Sequence, residues 1–133
     1  MSKINDYAKF VDACTSNESK DYTAFIKRAS DLQSQGTVNV PRVLTSAIGM
    51  LAESGEFTEI MKKVIFQGKE FNEAERFHMK RELGDILWYW IQGCIALGYT
   101  PDEVMDENIK KLEARYPNGF EVVRSENRQQ GDI

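Results

Sequence analysis

The chain has 133 residues, 41% hydrophobic and 29% charged, with a formal net charge of -4 at pH 7. That length suits a single domain with a sizeable core, and 3 Pro and 9 Gly are too few for a loop-rich or disordered chain. A mildly acidic total gives no general attraction for a nucleic acid polymer, the polar start MSKINDYAKF lacks a signal-peptide core, and the apolar run 86–91 is far shorter than the ~20 residues of a membrane span. The expectation is a cytoplasmic protein that engages neither membrane nor nucleic acid polymer.

In chain order, the pattern predicts helices nearly throughout. A first short helix covers much of Ile4–Ala13, and TSNESKD makes a polar break. A second begins at Asp21, with Tyr22, Phe25, Ile26, Ala29 and Leu32 at helical spacing, and ends in SQGTVNVP. Pro41 suits the first turn of a third helix running to about Ile65, because a proline's missing N–H is not needed there. After a loop around FQGKEFN, a fourth helix spans about Asn72 to Leu97 and stops at Gly98. Thr100, Pro101 and Glu103 then form a helix start, with Thr100 as cap and Glu103 three residues on, and that helix reaches about Arg115. Tyr116-Pro117-Asn118-Gly119 ends it. Phe120–Val123 reads as a short extended piece before a polar tail.

The expected fold is all-α, a bundle of four or five helices in one domain over 1–133. Its parts are N-terminal helices over about 1–38, a helical hairpin over about 41–98, and a C-terminal helix with tail over about 100–133. Cys14 and Cys94 are too far apart in sequence to suggest a zinc framework and read as reduced thiols.

The hairpin carries misplaced charge. At ~100° per residue, Val64, Phe57 and Ile60 all fall within about 40° of Glu53, which puts Glu53 inside an apolar sector. Glu56 lies at its edge. On the fourth helix Glu82 and Asp85, in RELGDILWYW, repeat the spacing at the mouth of a run apolar on all sides, 86–91, expected to be covered all round. Helices joined by a short loop pack antiparallel, so residues equidistant from the turn face each other. Glu56 with Glu82, and Glu53 with Asp85, are both centred on Lys69. All four acids should therefore meet.

Four carboxylates in a partly dry site must take up protons or bind a cation, and an oxygen-only donor set favours a hard divalent ion, Mg²⁺ first. Mg²⁺ is commonly held by carboxylates together with substrate phosphates. Lys63, Lys69 and Arg81 near the acids, with Lys110, Lys111, Arg115, Arg124 and Arg128 farther on, suit a polyphosphate. Gly55, between two of the acids, leaves room for another helix or a ligand. A purely structural salt-bridge cluster would need arginines among the acids, where only Arg76 and Arg81 are nearby.

The segments AESGEF, EIMKKVIFQGK, RELGDILWYW, ENIKKLEARYPNGF and RSENR resemble the MazG family of all-α nucleoside triphosphate pyrophosphohydrolases over most of the chain. Ala52 departs from the pattern, since many relatives have a further glutamate there. The resemblance implies hydrolysis of a (deoxy)nucleoside triphosphate between its α- and β-phosphates, giving a nucleoside monophosphate and pyrophosphate. It assigns Mg²⁺, with Mn²⁺ as a substitute, to Glu53, Glu56, Glu82 and Asp85, and substrate contacts to Lys63, Asn108, Lys111 and Arg115. Glu53 and Glu56 are the candidate proton acceptors. A homo-oligomer, dimer or tetramer, is also implied, and the apolar run with Trp88 and Trp90 supports it independently. Alternatives are a dUTP/dCTP-type or phosphoribosyl-ATP pyrophosphatase of the same superfamily, or a non-enzymatic helical module that binds a partner protein. A di-iron site, suggested by Glu75-x-x-His78, needs two such motifs, and the chain has one histidine.

Overall fold

A computed structural model describes residues 2–127, and they are helical apart from turns and one isolated bridge between Pro117 and Gly119. The chain divides into two compact units, Met1–Pro41 and Arg42–Ile133.

The first unit holds α1 (Lys3–Cys14), a single 3₁₀ turn (Asn17–Ser19) and α2 (Tyr22–Ser34). Asp21 caps α2, its Oδ1 accepting from the Ala24 N–H at 2.7 Å. This satisfies one of the first-turn donors that a helix cannot pair internally. The break between the helices is tied back by Lys20, whose Nζ donates to the Asp12 carbonyl at 2.8 Å. The apolar residues of α1, Ile4, Tyr7, Phe10 and Val11, are exposed.

In the second unit, α3 (Val40–Gln67, its first two residues preceding the unit) and α4 (Glu73–Leu97) make the expected hairpin. Gly68 ends α3 with φ 69°, and the Lys69 N–H reaches back to the Lys63 carbonyl at 3.1 Å. A left-handed residue with this backward bond suits glycine, which has no Cβ to clash. Asn72 caps α4, its Oδ1 accepting from the Ala74 and Glu75 N–H groups. Gly98 ends α4 in the left-handed conformation. The capping box at α5 (Pro101–Arg115) forms as expected: Thr100 Oγ1 accepts from the Glu103 N–H, and the Glu103 carboxylate accepts from the Thr100 N–H.

Contact between α3 and α4 depends on small residues. Buried Ser46 donates from Oγ to the Tyr89 carbonyl at 2.7 Å. The Tyr89 ring occupies the space where a Cβ on Gly49 would stand, and Ser46 Oγ lies 2.6 Å from where a Cβ on Gly93 would be. These pairings share the centre near Lys69 that the carboxylates imply, so the hairpin register is the expected one.

Two expectations need correction. Phe120–Val123 is extended only in its first half, at Glu121, because a short helix, α6 (Val122–Glu126), takes its second half. The run 86–91 is not covered on every side: Leu87 and Trp88 are exposed and the rest are only half-buried. Among the described residues the buried apolar side chains are Val40, Ile60, Cys94 and Ala96, too few to enclose two long helices. No helix among the described residues is long and apolar enough to cross a membrane. Cys14 and Cys94 are free thiols, as expected.

Candidate metal and phosphate site

Along the middle of the hairpin the four acids come together. Donor atoms of Glu53, Glu82 and Asp85 lie within 4.8 Å of one another, and those of Glu56, His78 and Glu82 do the same. Glu82 belongs to both groups and is only 5% exposed. Glu53 is half-buried, while Glu56 and Asp85 are exposed, so the site is dry at Glu82 and open at its edges.

Electrostatics at Glu53 show the crowding. Burial, first of all, raises its carboxyl above the ordinary value of 4.5. The neighbouring charges of Glu56 and Asp85 act in the same direction, as do the hydrogen bond and charge of Glu82. A carboxylate repelled by three others is one that a cation would stabilise. An octahedral ion with ~2.1 Å bonds spans about 4.2 Å between opposite ligands. Donors within 4.8 Å can therefore close on one ion by small side-chain rotations, and the residues fit a divalent cation.

Beside the acids lies a cavity of about 300 Å³ lined by Ala52, Gly55, Glu56, Glu59, Ile60, Lys63, Lys69 and His78. Both lysines expected near the acids are thus present. Lys63 pairs with Glu59 at 3.4 Å, and Lys69 pairs with Glu75 at 2.6 Å. The Glu75 side chain is 11% exposed, and its second oxygen, Oε2, is buried without a hydrogen-bond partner. The Lys69 ammonium is therefore held by a buried acid at the side of the cavity. Among the described residues nothing lies within 4 Å of the position of a Cβ on Gly55, and the residue lines the cavity.

The other expected substrate residues lie elsewhere. Arg81 is exposed and does not line this cavity. Asn108 and Lys111 line a second cavity of about 620 Å³ with Tyr99, Glu103, Val104 and Glu107. Arg115 stands over the Tyr116 ring, 5.9 Å from its centre. Lys110 is 3.7 Å from Glu107, and Arg124 pairs with Glu121 at 2.9 Å. Arg128 is outside the described residues.

In the sequence His78 reads only as one half of a di-iron motif. The structure instead places its Nε2 2.9 Å from Glu82 Oε1. Four-residue spacing on one helix was the available signal, since His78 and Glu82 necessarily share a face.

These features define an all-helical protein whose central hairpin presents an acid cluster able to hold a divalent cation. Residues 42–120, more than half of the chain, match the MazG nucleotide pyrophosphohydrolase domain, and the chain belongs to that family. The match lies within the second unit. The chain is also similar to the gene 37 protein of Mycobacterium phage L5, 29% identical over 83 residues, which are 61% of this chain and 72% of that protein. No solved structure matches it significantly.

Proposed function

We propose that the protein hydrolyses (deoxy)nucleoside triphosphates between the α- and β-phosphates, releasing a nucleoside monophosphate and pyrophosphate, with Mg²⁺ held by Glu53, Glu56, Glu82 and Asp85. The observation that carries this reading is the meeting of four carboxylates beside a cavity that also presents Lys63 and Lys69, in a chain of the MazG family. When bound, a divalent cation supplies positive charge against the triphosphate and lowers the pKa of the water it holds. Lys63 and Lys69 bind phosphate oxygens and offset charge gathering on the departing pyrophosphate. Glu53 or Glu56 accepts the proton of the attacking water. Asn108, Lys111 and Arg115 are assigned to the nucleotide's other end, with Mn²⁺ able to replace Mg²⁺.

The active form is a homo-oligomer. Leu44, Ile48 and Leu51 make an exposed stripe along α3, with Leu51 77% exposed, and Leu83, Leu87 and Trp88 are exposed on α4. Apolar faces of this extent call for a partner, and a second copy covers like with like.

The test is incubation with Mg²⁺ and each (d)NTP, measuring pyrophosphate against orthophosphate, with Glu53→Gln alongside. Pyrophosphate as first product, lost in the variant, is expected. Orthophosphate as primary product, or full activity in Glu53→Gln, refutes the mechanism.

A further inference from the structure

We propose that His78 is a direct metal ligand, and that Glu56, His78 and Glu82 form a second cation position that favours a transition ion such as Mn²⁺ over Mg²⁺. The inference rests on the reading that the neighbouring carboxylates hold a divalent cation, and adds to it a nitrogen donor.

Three observations support it. First, the donor atoms of Glu56, His78 and Glu82 lie within 4.8 Å of one another, as compact a group as Glu53, Glu82 and Asp85. Second, His78 Nε2 is 2.9 Å from Glu82 Oε1. Adjacent ligands on an octahedral ion with bonds of ~2.1 Å stand about 3 Å apart, so this separation serves either a shared proton or a shared ion. An ion takes the place of a proton on Nε2, and the neutral ring then carries its proton on Nδ1, on a side chain that is 51% exposed. Third, Glu56 and His78 both line the cavity that contains Lys63 and Lys69. A cation here would sit where a polyphosphate can reach it.

The consequence is selectivity. Mg²⁺ takes oxygen ligands and keeps much of its water, whereas imidazole suits transition ions better. The Glu53, Glu82 and Asp85 group offers oxygen alone, and the His78 group is mixed. Glu82 is common to the two groups.

His78 is the chain's single histidine, so an imidazole nitrogen signal from a bound ion in the tag-free protein belongs to it. The full-length protein would be loaded with Mn²⁺ and studied by pulsed EPR for ¹⁴N coupling, beside His78→Gln, which keeps a hydrogen-bond donor for Glu82. Calorimetric titrations with Mn²⁺ and Mg²⁺ would accompany both. Direct ligation predicts ¹⁴N coupling in the wild type and none in the variant. Mn²⁺ affinity should fall by about tenfold or more while that for Mg²⁺ changes by less than about threefold. Bound Mn²⁺ without nitrogen coupling, or equal weakening of both ions, overturns the role of His78 and leaves the carboxylate site standing. Absence of any bound Mn²⁺ or Mg²⁺ overturns both.

Discussion

If Ser46 and Gly93 set the approach of α3 to α4, changing both should cost less than changing them separately. A Cβ added at Gly93 would stand 2.6 Å from Ser46 Oγ and 3.6 Å from Ser46 Cβ. Ser46 Oγ cannot withdraw without lengthening its 2.7 Å bond to the Tyr89 carbonyl. Overpacking of this kind costs about 1–3 kcal/mol. Exchanging glycine for alanine inside a helix returns about 0.8–1 kcal/mol, leaving Gly93→Ala neutral to about 2 kcal/mol destabilised. Ser46→Ala removes one hydrogen bond, about 0.5–1.5 kcal/mol, and the Tyr89 carbonyl keeps its partner within α4. In the double variant the close oxygen is gone and only the ordinary 3.6 Å contact remains. Its stability should equal or exceed that of Ser46→Ala, a favourable coupling of about 1–3 kcal/mol. Urea melts at one fixed protein concentration measure this, and for a chain of this length each kcal/mol is also worth about 3–5 °C in Tm. Costs that add to within about 0.5 kcal/mol would refute the contact as described.

Other outcomes follow from the acid cluster and its surroundings. Glu53 has its carboxyl raised above 4.5 in the folded protein, so its contribution to stability is complete below that value and is lost as pH rises through the raised one. Metal-free protein should therefore lose thermal stability as pH rises above 4.5, with a shallower slope in Glu53→Gln and a loss offset by saturating Mg²⁺. Lys69→Met strands the buried Glu75 and should cost about 1–3 kcal/mol in urea melts, part of it recovered by adding Glu75→Gln, while KM for the triphosphate rises in both. In sedimentation at micromolar concentration the wild type should run larger than a monomer and Leu51→Asp smaller than the wild type. A wild-type monomer would remove the case for the apolar stripes.

Helix ends were legible because their chemistry is local. Asp21, Asn72 and Thr100 cap with their own side chains, and Gly98 stops α4 through its own backbone. The site was legible because two i,i+3 acid pairs lie equidistant from one turn, and the antiparallel register follows from counting. What failed was the reasoning that needs neighbours. An apolar run such as 86–91 implies coverage without saying by what, and Trp88 proves exposed in the single chain. At Phe120–Val123 a short apolar run carried too few residues to distinguish extended backbone from α6. His78 was weighed by motif count, which cannot register that its partner is the buried acid shared by both donor groups.

The small-residue contacts lie away from the turn, at Ser46, Gly49 and Gly93, and the carboxylates lie between them and the loop at 68–72. Changes in chain length therefore fall into two kinds. The loop can gain residues at little cost, because closure entropy grows slowly with length and the helices are aligned elsewhere. Losing one residue between Gly49 and Glu53 turns every acid beyond it by ~100° relative to the contact with Tyr89. Descendants of this chain could vary the length of the loop at 70–72 as long as Lys69 still reaches Glu75, while the four-residue interval from Gly49 to Glu53 stays fixed.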